Sequence, residues 1–232
     1  MILHEKIAAQ LPSWRERIKV LAKDHADVVV DQVTVGQIVG GMRDIKSLLT
    51  DVSFVDPAEG IRFRGMSIPE VLKALPKARG TKMPLVGGLY YLLMVGEVPT
   101  KEQALEVEAE WAKRAEIPDY VFKMLKSMPK EIHPMIMLSQ AVMVMAHDSQ
   151  FTKKYHEGMK KDVYWESALE DSMDLTAKLP LIAAFIYRMK YFGEKSKPKY
   201  NAKLDYGANF ARMMKVSDKK GYAELSRLYF IL

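Results

Sequence analysis

The segment PMIMLSQAVMVMAHD, residues 134–148, decides the fold class of this chain. Written as a helix, it is apolar on almost every side, and a helix of that kind is buried on almost every side. It is too short to cross a bilayer, which takes about 20 residues, so protein must surround it. Because a chain of 232 residues would struggle to cover this helix from within, we expect it to lie in a subunit interface.

Helical patterns dominate the rest of the sequence, so the predicted fold class is all-α with one small β-hairpin near residues 52–64. Ser67–Glu70 and Thr100–Gln103 have the capping-box pattern that begins a helix. Pro180 predicts a kink, because proline removes one hydrogen bond of the helix. The predicted helices cover residues 13–26, 67–75, 84–94, 100–115, 119–127, 134–148, 162–191, 202–215 and 217–232.

The predicted hairpin carries two arginines. Apolar and polar residues alternate between residues 51 and 65, and the segment DPAEG at 56–60 supplies a turn. The alternation places Arg62 and Arg64 on one face and Phe63 on the other. The two guanidinium groups could bind a carboxylate or a phosphate, but a structural or solvated role is the more common one for arginines on a strand.

Composition excludes several classes of site. The chain has no cysteine, so disulfides, cysteine-based zinc sites and thiol catalysis are excluded. The formal charge is +6, and its densest cluster is Lys195, Lys197 and Lys199. A solvated loop is the favoured interpretation of that cluster; attraction to an anionic ligand is the alternative, and no nucleic-acid motif accompanies it. No apolar run reaches membrane-spanning length, and residues 1–5 resemble neither a signal nor a transit peptide, so we expect a soluble protein.

The chemically active side chains form no recognisable catalytic motif. The chain lacks a phosphate loop, a dinucleotide fingerprint, a zinc-protease motif and a calcium loop. His147 and Asp148 are the best acid–base pair by adjacency, but adjacent residues on a helix do not face each other, which favours ordinary helix-end polarity. His133 is interpreted as a loop residue at a helix start. We therefore assign no catalytic and no metal-binding residue.

The segment LYFIL at 228–232 ends the last predicted helix. It has no glycine, basic turn or polar tail, which are the usual signals of a helix end. The pattern favours a chain cut off inside a helix, and so a piece of a larger polypeptide. A natural terminal helix docked in the core is the alternative.

Nine short segments are together more specific than any one motif. They are GGMR at 40–43, DPAEGIRFRG at 56–65, SIPE at 67–70, EWAKRA at 110–115, HPM at 133–135, YWE at 164–166, AKLP at 177–180, KLD at 203–205 and RLY at 227–229. In this order and at these spacings they resemble the N-terminal half of eukaryotic, mitochondrial-type citrate synthases. The resemblance covers about Ile7 to Tyr229, and its most diagnostic part is GIRFRG at 60–65.

The resemblance implies that residues 1–232 are the N-terminal part of the large helical domain, with the small domain absent. It implies a homodimer through the helices at about 134–148 and 162–191. The family's reaction condenses oxaloacetate with acetyl-CoA to citrate and CoA in the tricarboxylic acid cycle. It needs no metal and no permanently bound cofactor. By resemblance the location is the mitochondrial matrix.

The resemblance also implies which residues do what. The family's catalytic aspartate and two histidines match segments beyond Leu232, so we expect this chain alone to be inactive. Two positions match residues that contact CoA phosphates in relatives, namely Arg43 and Lys161. Relatives carry arginine at the position of Lys161, and lysine keeps the charge but not the planar fork; the neighbouring Lys160 could take over the contact.

Two other functions remain open at this point. A shortened paralogue could serve as a non-catalytic helical dimerisation or scaffold subunit. A related condensing enzyme, 2-methylcitrate synthase, shares the scaffold. The eukaryotic-type detail favours citrate over 2-methylcitrate.

Overall fold

The computed structural model describes residues 1–46, 48–56 and 58–232. Within them the chain forms eleven α-helices and one three-stranded sheet, which confirms the predicted all-α class with a small hairpin. The helices are α1 (Ile2–Asp24), α2 (Val35–Val39), α3 (Ile68–Ala74), α4 (Val86–Val95), α5 (Lys101–Arg114), α6 (Asp119–Ser127), α7 (Pro134–Met145), α8 (Gln150–His156), α9 (Tyr164–Phe192), α10 (Tyr206–Met214) and α11 (Lys219–Tyr229). The strands are β1 (Ser53–Asp56), β2 (Gly60–Phe63) and β3 (Met66–Ser67).

Most helix ends lie close to the positions that capping residues and terminal glycines in the sequence predicted. The capping boxes at Ser67 and Thr100 both form, and Gly96 and Gly193 end α4 and α9 in the left-handed conformation that glycine favours. The helix predicted from residue 202 begins instead at Tyr206, because Asp205 caps it by accepting the Ala208 N–H at 2.9 Å.

Two helices differ from the prediction for long-range reasons. The helix expected from residue 13 begins at Ile2 and contains Pro12, and its first turns bury Leu3 and Ile7. The helix α8 was not predicted. Ser149 caps it locally by accepting the Thr152 N–H at 2.9 Å. From outside, the Asp171 carboxylate of α9 accepts the N–H groups of Gln150 and Phe151 at 2.8 and 3.0 Å.

The sheet is antiparallel in the order β1-β2-β3, with Ser53 opposite Phe63 and Asp56 opposite Gly60. The turn predicted over residues 56–60 includes Pro57, which lies outside the described residues. Asp56 precedes this residue, and its carboxylate accepts the N–H groups of Ala58 and Glu59, which follow it. Phe63 is buried.

The core lies around α9. One half of this helix packs with α6, α7 and α10, where Phe122 and Phe185 meet edge to face at 4.8 Å between ring centroids. The other half packs with α4, α5 and α10 around Trp111. The helices α4, α5 and α10, which meet at Trp111, also position a buried polar cluster.

The described residues bury only one face of α7. Met137 and Ala141 are buried, whereas Met135, Ile136 and Met143 are exposed by 59, 53 and 67%. The sequence predicted burial on almost every side, so these residues leave uncovered the face that the sequence assigned to a subunit interface. Among the described residues, no helix combines the length and the apolar character that crossing a membrane requires.

Candidate functional site

Arg43 lies in a backbone turn that follows α2. Gly41, Met42 and Asp44 have φ values of +82, +61 and +59°, a conformation that residues with a side chain adopt rarely. Gln37 holds the turn by donating to the Arg43 carbonyl oxygen at 3.3 Å. The Arg43 guanidinium is exposed and has no acidic partner among the described residues. The turn thus presents a free cation to solvent.

Lys161 begins a single 3-10 turn, Lys161–Val163, directly before α9. Lys160 and Lys161 are both exposed. This turn is joined to α1, because Arg15 donates to the Asp162 carbonyl oxygen. Within the described residues no contact joins Lys161 to Arg43, so the two positions form separate surface features and their role in CoA binding stays a prediction.

Both hairpin arginines form hydrogen bonds within the chain. Arg62 donates to Glu59 and to the Gly65 carbonyl oxygen. Arg64 donates to the Leu93 carbonyl oxygen at 3.1 Å near the end of α4, and its guanidinium lies 5.7 Å from the Trp14 ring centroid. Both arginines therefore have the structural role that was favoured.

The histidines also have ordinary structural roles. All five are exposed. His133 caps α7, its Nδ1 accepting the Met135 N–H at 3.2 Å. Asp148 accepts a hydrogen bond from Tyr120 at 2.8 Å rather than from His147. In the described ranges no three His, Asp or Glu side chains are placed to hold a metal ion.

Among the described residues, Glu108 is a carboxyl group whose pKa burial raises strongly. It is 6% exposed, and its two oxygens accept the N–H groups of Gly87 at 3.1 Å and of Tyr206 at 3.0 Å. Burial raises the pKa of Glu108 to about 7, and the two backbone hydrogen bonds partly oppose that rise. One carboxylate thus satisfies free N–H groups at the first turns of both α4 and α10.

A buried ion pair adjoins this carboxylate. Arg227 of α11 donates from Nε and Nη2 to the two oxygens of Asp205, at 3.1 and 2.8 Å. Arg227 also pairs with Glu224 on its own helix. We call Glu108, Asp205 and Arg227 the Glu108 junction; it ties α5 to the starts of α4 and α10 and to α11.

Sequence reasoning missed the Glu108 junction, although a signal for it was present. Ala104, Val107 and Trp111 form the buried stripe of α5, and Glu108 falls on that stripe between them. A carboxylate at a core position is expected to have a specific partner. The partners come from elements up to 98 residues away along the chain, so only the tertiary structure identifies them.

Comparisons with known proteins agree with this fold. Residues 41–232 match the family described as "Citrate synthase, C-terminal domain". A relative named "Probable citrate synthase, mitochondrial", from Glossina morsitans morsitans, is 46% identical over 99% of this chain and 49% of its own length. A relative named "2-methylcitrate synthase, mitochondrial", from Yarrowia lipolytica, is 45% identical over 99% of this chain and 50% of its own length.

Solved structures show the same fold at lower identity. The citrate synthase from Pyrobaculum aerophilum superposes with a TM-score of 0.70 at 23% identity, over 88% of this chain and 51% of that one. A citrate synthase from Thermoplasma acidophilum, in ternary complex with carboxymethyl coenzyme A and oxaloacetate, gives 0.58 at 19% identity over 75% of this chain and 41% of that one. The chain spans about half the length of the relatives that it matches.

Proposed function

We propose, from the premise that this chain belongs to the citrate synthase family, that it is part of an acyltransferase. The reaction condenses oxaloacetate with acetyl-CoA to give citrate and CoA. The observation that carries the proposal is the 46% identity, over 99% of the chain, to a relative named as a probable mitochondrial citrate synthase.

The condensation needs a base that removes a proton from the acetyl methyl group and donors that stabilise the enolate as it forms. Such groups act best in a site from which water is excluded. The five histidines of this chain are all exposed, and Glu108 is occupied by two backbone N–H groups. We therefore assign no catalytic residue within residues 1–232, and the chain contributes scaffold and binding residues.

We assign CoA phosphate contacts to Arg43 and Lys161. Both side chains are exposed, and neither has an ion-pair partner among the residues that the structure describes. A free cation is what a phosphate requires. The ternary complex of the Thermoplasma citrate synthase contains a coenzyme A derivative, which supports CoA as the ligand class here.

The proposed assembly is a homodimer through residues of about 134–148 and 162–191. The exposed apolar face of α7 supports it, because a free face of this kind favours association. Relatives named as mitochondrial support a location in the mitochondrial matrix.

The first experiment captures the native polypeptide from cells with an antibody raised against the 232-residue chain. We expect the captured protein to form citrate from oxaloacetate and acetyl-CoA, measured by release of free CoA thiol. We expect the recombinant 232-residue chain alone to form none. A native polypeptide near 26.5 kDa without condensing activity would instead support the non-catalytic scaffold subunit.

A second experiment addresses Arg43 and Lys161. The variants Arg43→Gln and Lys161→Gln of the captured protein's full-length form are compared with Lys153→Gln, which removes an exposed charge on α8. Loss of one exposed phosphate contact should raise the KM for acetyl-CoA by about two- to fivefold. An equal KM in all three variants contradicts the assignment.

A second candidate activity is 2-methylcitrate formation. It is favoured by the 45% identity to a relative named as a 2-methylcitrate synthase, which is almost the identity to the citrate synthase relative. The captured protein is assayed with propionyl-CoA as well as acetyl-CoA. A higher kcat/KM for propionyl-CoA would transfer the assignment to that enzyme.

A further inference from the structure

Glu108 is buried at the edge of an open cleft of about 630 Å³. Its side chain forms part of the cleft wall, and the other walls come from the segment after α3, from the segment before α10 and from Arg227 of α11. Only 6% of the residue is exposed, because the first turns of α4 and α10 pack against its carboxyl group. A small separation of α5 from these two turns would therefore bring the carboxyl group into water without unfolding the chain.

The charged groups next to Glu108 leave an excess of negative charge when it is ionised. Asp205, directly before α10, repels a negative charge on Glu108, and Glu224 lies on α11. The guanidinium buried beside them, that of Arg227, is already paired with both carboxylates. An ionised Glu108 thus places a third carboxylate charge against one cation, in a position that is almost closed to water.

The remaining titratable groups around the cleft do not offset this charge. Two tyrosines lie on the α10 side, and burial raises the pKa of both, so they stay neutral. The cations are exposed, and solvent screens them, apart from Lys77, which donates to the carbonyl oxygens of Leu72 and Lys73. Residues 86–89, the first turn of α4, include no titratable side chain. The groups around the cleft are Tyr200, Tyr206, Lys77, Arg79, Lys101 and Lys203.

Loss of the Glu108 proton favours the separated arrangement. Burial raises the pKa of Glu108 from 4.5 to about 7, so the closed arrangement binds the proton more tightly than an arrangement in which water reaches the carboxyl group. The closed arrangement has its full advantage below about pH 4.5 and loses it as pH rises through about 7. From about pH 5 to about pH 8, the equilibrium constant for separation should rise by about fifty- to hundredfold.

Other contacts keep the separation local. Asp205 still caps α10 and still binds Arg227 through both oxygens. Thr81, in the segment before α4, donates to Glu224 of α11. These contacts do not involve Glu108, so α10 and α11 remain joined to each other while α5 separates from the first turns of α4 and α10.

We propose that the Glu108 junction is a pH-dependent conformational switch. As Glu108 loses its proton, α5 separates from the first turns of α4 and α10, and water enters between them from the cleft. The proposal concerns a movement within residues 1–232 and does not rest on the condensing activity.

The test measures amide hydrogen exchange at Gly87 and Tyr206 in the full-length form of the captured protein, by mass spectrometry of the peptides that contain them. Each exchange rate is divided by the intrinsic chemical rate at the same pH, which gives the opening constant. We expect the opening constants of both amides to rise by about fifty- to hundredfold from about pH 5 to about pH 8 and then to level off. Low concentrations of urea should leave them almost unchanged, since a local separation exposes little new surface.

Variants assign the pH dependence to Glu108. Glu108→Gln has no proton to lose, so its opening constants should not depend on pH. Asp205→Asn removes the neighbouring negative charge and keeps a capping side chain, so the rise should shift to lower pH. Glu131→Gln removes an exposed carboxylate before α7 and should reproduce the native profile.

Three results would overturn the proposal. One is a set of opening constants in the native protein that do not change with pH. Another is the same rise in Glu108→Gln as in the native protein, which would assign it to a different group. The third is a dependence on urea as steep as that of amides in the centre of α9, which would mean exchange through global unfolding. None of these outcomes bears on citrate formation by the captured protein.

Discussion

The Glu108 carboxylate caps two helices at once, α4 and α10. Its oxygens accept N–H groups from the first turns of α4 and α10, which have no acceptor within their own helices. Gly87 makes this contact possible because it has no side chain: a Cβ there would lie 2.6 Å from the Ala104 carbonyl oxygen and 2.8 Å from Glu108 Cγ. The close approach of α4 to α5 depends on both residues.

The stability of the chain should therefore depend on the titration of Glu108. Burial raises the pKa of Glu108 from 4.5 to about 7, so the folded chain holds this proton more tightly than the unfolded chain. Its contribution to stability is complete below the unfolded pKa and is lost as pH rises through the folded pKa, by up to about 3 kcal/mol. Urea unfolding from about pH 5 to about pH 8 should show this fall for the native chain and not for Glu108→Gln. Parallel pH profiles of the two proteins would contradict the assignment.

Substitution of Gly87 tests the same contact sterically. Gly87→Ala should lower the free energy of unfolding by about 1–3 kcal/mol, because a backbone carbonyl must move to admit the methyl group. Gly36→Ala is the matched control: Gly36 is also helical, and the nearest atom to its added Cβ is 3.9 Å away. The control should be neutral or slightly stabilising. Equal urea midpoints for the two variants would show that α4 and α5 separate easily.

At the scale of elements, a hydrogen bond that α9 loses at a proline is replaced by one from α10. Pro180 has no N–H, so the carbonyl group of Thr176, four residues earlier, loses its usual donor. The Tyr206 hydroxyl at the start of α10 donates to that oxygen at 2.7 Å. Tyr206 is itself held at its N–H by Glu108. The sequence predicted a kink at Pro180; the structure places a tertiary hydrogen bond there, within a continuous helix.

A double-mutant cycle measures the energetic coupling between Pro180 and Tyr206. Tyr206→Phe should lower the free energy of unfolding by about 1–3 kcal/mol, because it leaves the partly buried Thr176 carbonyl group without a donor. In a Pro180→Ala background the new N–H can reach Thr176, so the same change should cost less than about 1 kcal/mol. The four proteins are compared by urea unfolding. A cost of Tyr206→Phe that is the same in both backgrounds would refute the link between Pro180 and Tyr206.

At the scale of the whole molecule, exposed apolar side chains concentrate on two surfaces. One is the face of α7 formed by Met135, Ile136 and Met143. The other follows the second half of α1, where Ile18 and Leu21 are exposed by 57 and 43%, and continues through residues 28–46 and 48–55. The described residues leave this apolar face uncovered. Surfaces of this kind favour association.

Self-association should therefore depend on α7. Sedimentation velocity of the 232-residue chain should show a concentration-dependent dimer or larger species. Met143→Lys should weaken that association by about tenfold or more, since it places a charge on the exposed apolar face of α7. Val98→Lys changes an apolar side chain of 46% exposure outside that face and should leave association unchanged. A monomeric native chain would contradict the proposed homodimer.

The sequence determined the fold class, most helix ends and the family. These features are local: a capping box, a terminal glycine or an apolar stripe acts within a few residues of its own position. The family resemblance likewise rested on short segments read in order, and the match over residues 41–232 confirmed it. The assignments of Arg43 and Lys161 came from the same comparison, and they stay predictions.

Only the tertiary structure decided where buried polar groups find their partners. Asp171 caps α8, Glu108 caps α4 and α10, and Tyr206 serves the carbonyl group freed by Pro180. Each contact joins residues at least 20 positions apart, and sequence spacing carries no information about such approaches. The physical reason is that a buried polar group must be paired, but any chain segment that packing brings near can supply the partner.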